Sequence, residues 1–214
     1  MKRFCVIIAA ILLSGSMSFA QIVPGAGYVH STISYSGNGS SSSTSQSGFF
    51  AGASMVVDIP AVNGLGFVPG LYFSLITESK QDSATIPYLG TQSAKSTFTE
   101  MAFNVPTVLK YSFALSGGAK VFAYAGPTFQ LGLSSKTRVD ASGIISGSGD
   151  VNDYYSDDVG YNRFNVLVGG GVGFVISRIM VNLGYDYGVT NTLRGVSNAS
   201  AHRSNLHLGV GYIF

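Results

Sequence analysis

Two parts of the sequence hold residue types that could carry out chemistry. His202 and Ser204 lie one residue apart, and a serine beside an imidazole is the core of a nucleophilic pair, which also needs an acid to orient the imidazole. The acidic stretch DVNDYYSDD, residues 150–158, offers oxygen ligands for a cation. No acidic residue follows Ser204, and an EF-hand loop would require Gly and Glu where this chain has Tyr155 and Tyr161. The sequence therefore predicts no catalytic residue, no metal site and no cofactor.

The amino-terminal segment has the pattern of an export signal. Lys2 and Arg3 precede an apolar run over 4–13, and SFA at 18–20 fits a small-x-small cleavage site. The run is shorter than the roughly 20 apolar residues that cross a bilayer as a helix. We therefore predict a signal peptide over residues 1–20.

The remainder, 21–214, is predicted to be one exported domain. Removing Lys2 and Arg3 lowers the Lys and Arg total from 12 to 10, which equals the 10 Asp and Glu, so the exported chain is formally neutral. It has no basic patch of the kind that binds nucleic acid. Cys5, the single cysteine, lies within the predicted signal peptide.

The composition indicates a membrane protein that does not cross by helices. Charged residues make up 10% of the chain, against about 25% in ordinary soluble domains. No stretch after the predicted signal is long and apolar enough for a spanning helix. A closed β-barrel is the other structure that satisfies its backbone hydrogen bonds within hydrocarbon. A soluble lipocalin-like binder remains an alternative, although more surface charge would then be expected.

Alternation with a period of two predicts eight strands. They lie near 25–35, 48–59, 66–79, 96–114, 119–136, 161–176, 179–191 and 204–214. Short links alternate with long polar ones along the chain, as in outer-membrane barrels with tight periplasmic turns and longer external loops. The Ser-rich run Ser40–Ser47 and the segment Thr137–Gly160 are predicted to be two of these loops.

The face opposite the apolar side chains carries glycines and a set of polar residues. This predicted interior network consists of Glu78, Glu100, Lys110, Asp186 and His207. Buried charges must be paired, and Lys110 is the expected partner of the acids. An eight-stranded interior is only wide enough to be filled by side chains, so we expect a structural network. A narrow gated channel lined by these groups is the alternative.

The predicted fold class is thus all-β: an eight-stranded antiparallel transmembrane β-barrel with short periplasmic turns, long extracellular loops and both termini in the periplasm. The segments FNVPTVLKYSF, FAYAGPTFQLGL, VLVGGGVGF, NLGYDYGVTN and LGVGYIF carry a family resemblance. With them the chain resembles the PorT-like outer-membrane β-barrel family of Gram-negative bacteria, and more loosely the small barrels of the OmpA and OmpX kind. The resemblance extends from Gly25 to Phe214 and is closest from Phe103 onward.

The resemblance also assigns a role to the last strand, which ends on an aromatic residue. In such barrels this pattern is similar to the signal that the barrel-assembly machinery reads. The matching positions are Leu206, Leu208, Val210, Tyr212 and Phe214. An ordinary last strand is the plainer interpretation, since alternation alone is common.

What the resemblance implies for function is broad, because family members have been linked to secretion, adhesion and envelope integrity. We expect a non-enzymatic outer-membrane protein in contact with outer-membrane lipid, with a structural or surface-interaction role through its external loops. A narrow porin or a secretion-linked component is the alternative. A lipid A-modifying hydrolase comes third, because the His202 and Ser204 pair resembles that of outer-membrane lipid A deacylases.

Overall fold

The computed structural model describes residues 20–37, 39–86, 90–142, 147–155, 160–193 and 199–214. The predicted signal peptide lies outside these residues except for Ala20. Within the described ranges, the chain has no helix that could span a membrane.

Nine β-strands make up most of the described chain. They are β1 (Ala20–Gly37), β2 (Ser40–Asp58), β3 (Leu65–Ile86), β4 (Gly90–Ala114), β5 (Lys120–Ser142), β6 (Gly147–Asp153), β7 (Phe164–Ile176), β8 (Ile179–Gly188) and β9 (Ala199–Tyr212). A single 3₁₀ turn at Ser116–Gly118 connects β4 to β5.

Eight of the nine strands close into an antiparallel ring. The order β4-β3-β2-β1-β9-β8-β7-β5 is sealed by pairing of β4 with β5. The first and last strands meet along the seam from Gly25 opposite Gly211 to Gly37 opposite Ala199. A ring leaves no strand edge exposed in the layer that it encloses, so the backbone needs no hydrogen bonds from solvent there. The predicted eight-stranded antiparallel barrel is confirmed.

The ninth strand, β6, is a branch and not part of the ring. β5 pairs with β7 over Lys120–Leu131 and then with β6 over Lys136–Ala141. The prediction of a loop over Thr137–Gly160 is therefore wrong for much of its length. Residues 137–142 continue β5, and β6 pairs with them as the second strand of a hairpin.

The serine-rich run is also a strand. Ser40–Ser47 begins β2 and pairs with 30–37 of β1, so the prediction of a flexible loop is wrong. Thr32 and Ser45 hydroxyls hydrogen-bond across this pair at 3.0 Å. Small polar side chains suit the exposed part of this ribbon, residues 40–43, and the backbone ladder is the same as in an apolar strand.

The outward face of the ring carries the apolar belt that the alternation predicts. Large apolar side chains that point outward and are exposed include Phe49, Leu71, Phe73, Leu75, Met101, Phe103, Leu109, Phe129, Leu131, Phe164, Val172, Phe174, Leu183, Leu208 and Val210. An apolar surface of this extent is stable only in contact with other apolar matter, and the hydrocarbon of a bilayer supplies that contact. The inward face also carries apolar side chains. Those buried inside the ring include Val23, Val29 and Ile33 of β1 and Val56, Ile76, Val108, Leu167 and Val175 of other strands.

Candidate functional site: the barrel interior

The strongest interaction inside the ring joins β4 to β9 across the lumen. Arg203 Nη1 and Nη2 each donate to one carboxylate oxygen of Glu100, at 2.5 and 2.6 Å. The side chains are only 7% and 2% exposed. This is the bidentate geometry in which a guanidinium and a carboxylate pair most strongly, and each neutralises the other in a dry interior.

This pair corrects the prediction that Lys110 neutralises the buried acids. Lys110 lies near the opposite end of β4, with its ammonium 5.5 Å from the centre of the Phe122 ring. Its neighbours across the sheet are Gly66 on β3 and, one strand further, Asp58 on β2. The distance along β4 separates Lys110 from Glu100, and Arg203 is the cation at Glu100's own level.

Tyr155 completes the outer end of this cluster. Its hydroxyl donates to Glu100 Oε1 at 3.5 Å. Burial, together with the nearby Glu100 charge, raises the pKa of Tyr155, so the hydroxyl stays protonated at neutral pH. Gly132 on β5 makes room for the ring, since a Cβ there would lie 2.1 Å from the Tyr155 hydroxyl. We call Glu100, Arg203 and Tyr155 the outer cluster.

A second cluster lies deeper in the barrel. Asp186 Oδ2 and His207 Nδ1 are 3.8 Å apart, and the His207 Nε2 is 2.9 Å from the Tyr124 hydroxyl. These three side chains come from β8, β9 and β5, which are not all neighbours, so the contact crosses the lumen. We call Asp186, His207 and Tyr124 the inner cluster.

Glycines supply the space that the inner cluster occupies. A Cβ on Gly184 would lie 2.1 Å from the Tyr124 hydroxyl and 2.5 Å from His207 Nε2, and one on Gly169 would lie 2.1 Å from Asp186 Oδ1. Real Cβ atoms do not approach other atoms so closely. The inward glycines Gly169 of β7 and Gly184 of β8 therefore leave the space that these bulky groups occupy.

Glu78 belongs to neither cluster. It lies on β3 beyond the apolar belt and is 3.5 Å from Lys80, whose side chain is largely exposed. An exposed ion pair of this kind contributes little to stability. Of the five predicted network residues, the structure thus brings Asp186 and His207 together and separates Glu78, Glu100 and Lys110.

The residues that the structure describes border two cavities of note inside the ring. The inner cavity has a volume of about 160 Å³ and is bordered by the inner cluster, Asn205 and Lys110. The outer cavity, of about 150 Å³, is bordered by the outer cluster. Glu100 and Arg203 line the outer cavity only, and further along the same strands Asn104 and Asn205 line the inner cavity only. The ion pair therefore lies at the end of the outer cavity that faces the inner one, where Gln130 borders both.

Arg203 is not among the predicted site residues, because it falls in the predicted link between residues 191 and 204. Ala201, Arg203, Asn205 and His207 all point inward along β9, where the first three are buried. Extending the alternation of the last strand toward its amino-terminal side would have placed Arg203 on the interior face. Tyr155 had no such signal, since it follows β6 in an irregular segment.

The His202 and Ser204 pair lies on the outward side of β9. His202 Nδ1 is 3.0 Å from the carbonyl oxygen of Gly188, and its ring stacks on Tyr187 at 5.9 Å. A carbonyl oxygen thus occupies the position that a triad would give to a carboxylate. Ser204 is paired with Thr32 and Tyr187 in the sheet register.

The acidic segment 150–158 is described as far as Tyr155. Tyr154 packs against Phe98 and Tyr161 at ring separations of 5.8 and 5.5 Å. Across the residues that the structure describes, no group of three metal-ligating side chains comes together. Tyr154 and Tyr155 both line the outer cavity.

The last strand presents its predicted assembly residues to the outside. Leu206, Leu208, Val210, Tyr212 and Phe214 are all exposed. Their strand is hydrogen-bonded to β1 on one side and β8 on the other. The Phe214 amide donates to the Ile22 carbonyl at 3.1 Å, which joins the two ends of the described chain.

A closed antiparallel ring with an apolar belt outside and paired polar groups inside is an integral membrane β-barrel. Residues 14–194 match the family described as outer membrane protein beta-barrel domain, and the chain belongs to this family. It is accordingly an integral protein of the outer membrane in contact with its lipid. No curated protein matches the sequence at a significant level.

Solved structures of other small barrels are similar to this chain at low identity. Neisserial surface protein A is 16% identical with a TM-score of 0.45, covering 91% of this chain and 99% of that one. Ail of Yersinia pestis, solved with the heparin analogue sucrose octasulfate, is 12% identical with a TM-score of 0.43, covering 92% and 99%. OprG of Pseudomonas aeruginosa is 10% identical with a TM-score of 0.38, covering 92% and 96%.

Proposed function

We propose that this barrel is a non-enzymatic surface protein whose outer hairpins contact an extracellular or secretion-linked partner. One observation supports this role above the others: strand pairing continues far beyond the apolar belt at one end only. β3 and β4 stay paired as far as Ile86 opposite Gly90, although their outward apolar residues end near Leu75 and Met101. At the other end, Ile176 and Ile179 are separated by a two-residue turn.

The proposed orientation places the long hairpins outside the cell and both termini in the periplasm. Paired strands give the outer extensions a defined shape, which a partner can recognise at a lower ordering cost than a flexible loop. The PorT-like resemblance favours a secretion-linked partner within this proposal.

The orientation can be tested by labelling single cysteines in intact cells. Cys5, the only native cysteine, lies in the proposed signal peptide, so the exported protein would have no thiol. Ser41→Cys, on the outer part of β2, should react with a membrane-impermeant maleimide in intact cells. Ala61→Cys, in the turn between β2 and β3, should react only after the outer membrane is opened. Labelling of Ala61→Cys in intact cells together with protection of Ser41→Cys would show that the orientation is the opposite of the one proposed.

We further propose that residues 1–20 are removed on export and that the last strand is the segment read by the barrel-assembly machinery. The outward row that ends at Phe214 supports this, because before closure β9 would present an apolar ribbon with one unpaired edge. Deleting Phe214 should lower the amount of folded barrel in the outer membrane while leaving signal removal unchanged. Equal amounts of folded protein with and without Phe214 would refute the assembly role.

A narrow porin is the second candidate, and the two interior cavities are the observation in its favour. The Glu100 and Arg203 pair lies between them, which favours a closed barrel. A hydrolase has less support, since His202 is oriented by a backbone carbonyl. His202→Ala should leave the acylation of lipid A unchanged in the producing strain. A change in acylation would support the hydrolase.

A further inference from the structure

The outer cavity has an aromatic wall. Its rings come from both the strands and the segment between β6 and β7: Tyr35, Phe98, Tyr154, Tyr155 and Tyr161. The Tyr161 hydroxyl donates to the Tyr35 hydroxyl at 3.3 Å, and burial raises the pKa of Tyr161 above its ordinary value. Asn162 and Arg163 also line the cavity and are exposed, so it reaches the outer surface of the barrel.

Two buried amide groups line this cavity with unmet hydrogen-bonding capacity. Gln46 and Asn165 are 7% and 3% exposed. Among the described residues, Gln46 Oε1 and Asn165 Nδ2 have no hydrogen-bond partner, while Asn165 Oδ1 accepts from the Thr190 hydroxyl. A buried polar atom without a partner costs about 1–3 kcal/mol. One acceptor and one donor are therefore held ready on the cavity wall.

The charges of the wall do not favour an ionic ligand. Glu100 and Arg203 neutralise each other through two hydrogen bonds. Arg163 stands at the exposed rim, where it lies 5.6 Å from the Tyr155 ring centre and donates to the Tyr155 carbonyl at 3.3 Å. A neutral molecule with several hydroxyls would match both the unpartnered amides and the tyrosine hydroxyls, and its C–H faces would pack on the rings.

The volume sets the size of such a molecule. The cavity measures about 150 Å³. An engineered protein cavity of about this volume accommodates benzene, so the cavity can enclose the body of one six-membered ring. Because the cavity opens at the outer end, the substituents of the ring can project through its mouth.

We propose that the outer cavity is a binding site for a single neutral, hydroxyl-rich six-membered ring, of the monosaccharide or cyclitol class. Gln46 and Asn165 supply the acceptor and the donor, and the tyrosines supply the stacking surface. The site lies within the mouth of the barrel, where Tyr35, Thr44 and Phe98 of the outer hairpins contribute to its wall.

The experiment uses the purified mature barrel in a detergent without a sugar headgroup. D-glucose and myo-inositol are the probes, and cyclohexanol and D-glucuronate are the comparators. Saturation-transfer NMR, with irradiation of the aromatic tyrosine resonances, reports contact with the rings, and titration gives the dissociation constant. We expect saturable binding of glucose or inositol with transfer from tyrosine. The chain has no tryptophan, so the aromatic signals belong to Tyr, Phe and the three His residues.

Substitutions locate the bound probe. Gln46→Leu and Asn165→Leu should each weaken binding by about tenfold or more, since each removes a polar partner from the site. Asn205→Leu is the matched control: Asn205 is also buried with an unpartnered Oδ1, but it borders the inner cavity. Asn205→Leu should leave the dissociation constant within about twofold. Heat-dependent gel migration shows whether each variant is folded.

Several results would overturn the proposal. One is the absence of saturable binding or of tyrosine transfer with the unaltered barrel, a result that does not depend on any variant folding. Another is equal binding by the folded Asn165→Leu barrel and the unaltered one. Preference for cyclohexanol would indicate an apolar site, and preference for glucuronate an anionic one; either would refute a neutral polyol site.

Discussion

At the residue scale, one ion pair determines how the interior is organised. Glu100 and Arg203 have little access to water, so each carries a charge that only the other neutralises. The pair also spans the lumen between strands that are not neighbours. It therefore acts as a cross-brace and as the boundary between the two cavities.

Removing one member of this pair should be worse than removing both. Arg203→Met leaves the Glu100 carboxylate buried and alone, and we expect a loss of about 3–5 kcal/mol in the free energy of unfolding. Glu100→Gln with Arg203→Met should recover most of that loss. Urea unfolding of the barrel in lipid vesicles provides the measurement. Equal destabilisation by the single and the double variant would contradict the paired role.

Residue-level prediction from sequence succeeded where alternation determines direction and failed where the strand boundary was misplaced. The inward positions of Glu100 and His207 follow from the period of two. The sequence places Arg203 in a predicted link, so Lys110 was the cation expected to neutralise Glu100. Ser135 shows a second cause: β5 has an extra residue, Leu133, at the register shift opposite Met101, and the inward position passes from Ser134 to Ser135. Nothing in the local sequence marks that bulge.

At the element scale, the strands agree with the predicted strand bounds within the apolar belt and extend past those bounds beyond the belt. Apolar alternation locates the membrane-spanning part of every ring strand except β1, whose Val29 and Ile33 face inward. The outer extensions are rich in Ser and Thr and also carry charged residues such as Glu78, Lys80 and Arg138. They lack an apolar face, so alternation could not reveal them, and their pairing comes from hairpin geometry and the backbone.

The facing of β8 can be tested by two neighbouring substitutions to arginine. Leu183 points outward and is exposed, whereas Asn182 borders the inner cavity. Leu183→Arg should cost about 2–4 kcal/mol of folding free energy in the bilayer, the range for a cation on the lipid face. Asn182→Arg should cost less, because its guanidinium can reach polar groups of the lumen. Folding yield in lipid vesicles at graded urea concentrations distinguishes the two, and equal effects would count against the assignment of faces.

The seam between β1 and β9 depends on a close approach at Gly27. A Cβ there would lie 2.1 Å from the Leu208 carbonyl oxygen and 2.8 Å from the Gly209 Cα, both backbone atoms that cannot turn aside. Gly27→Ala should therefore impair closure and reduce the folded fraction in a refolding assay.

Gly149→Ala is the control for that substitution. A Cβ on Gly149, in β6, would meet nothing within 4 Å. The change should be neutral or slightly stabilising, by up to about 1 kcal/mol, through the unfolded chain. If both variants refold like the unaltered protein, the seam tolerates a side chain and the proposed tightness is wrong.

At the scale of the whole molecule, the interior is compartmented and not continuous. The outer cluster separates the two cavities, and the inner cluster narrows the inner cavity. The barrel in a planar bilayer should show no steady openings. Replacing both Glu100 and Arg203 by Ser should join the cavities and produce openings. Steady conductance by the unaltered barrel would favour the porin, and silence of the double variant would show that other groups also block the lumen.

The change of partner along β5 gives the barrel an oblique outer rim. Pairing between β5 and β7 stops at Leu131 opposite Phe164, and pairing between β7 and β8 stops at Leu167 opposite Gly188. β3 and β4, in contrast, remain paired to Ile86 and Gly90. The wall is consequently tall over one arc and low over the other. A protein that diffuses in the plane of the bilayer meets a tall wall from one direction and a low wall from another. The shape of the rim alone therefore makes its approach directional.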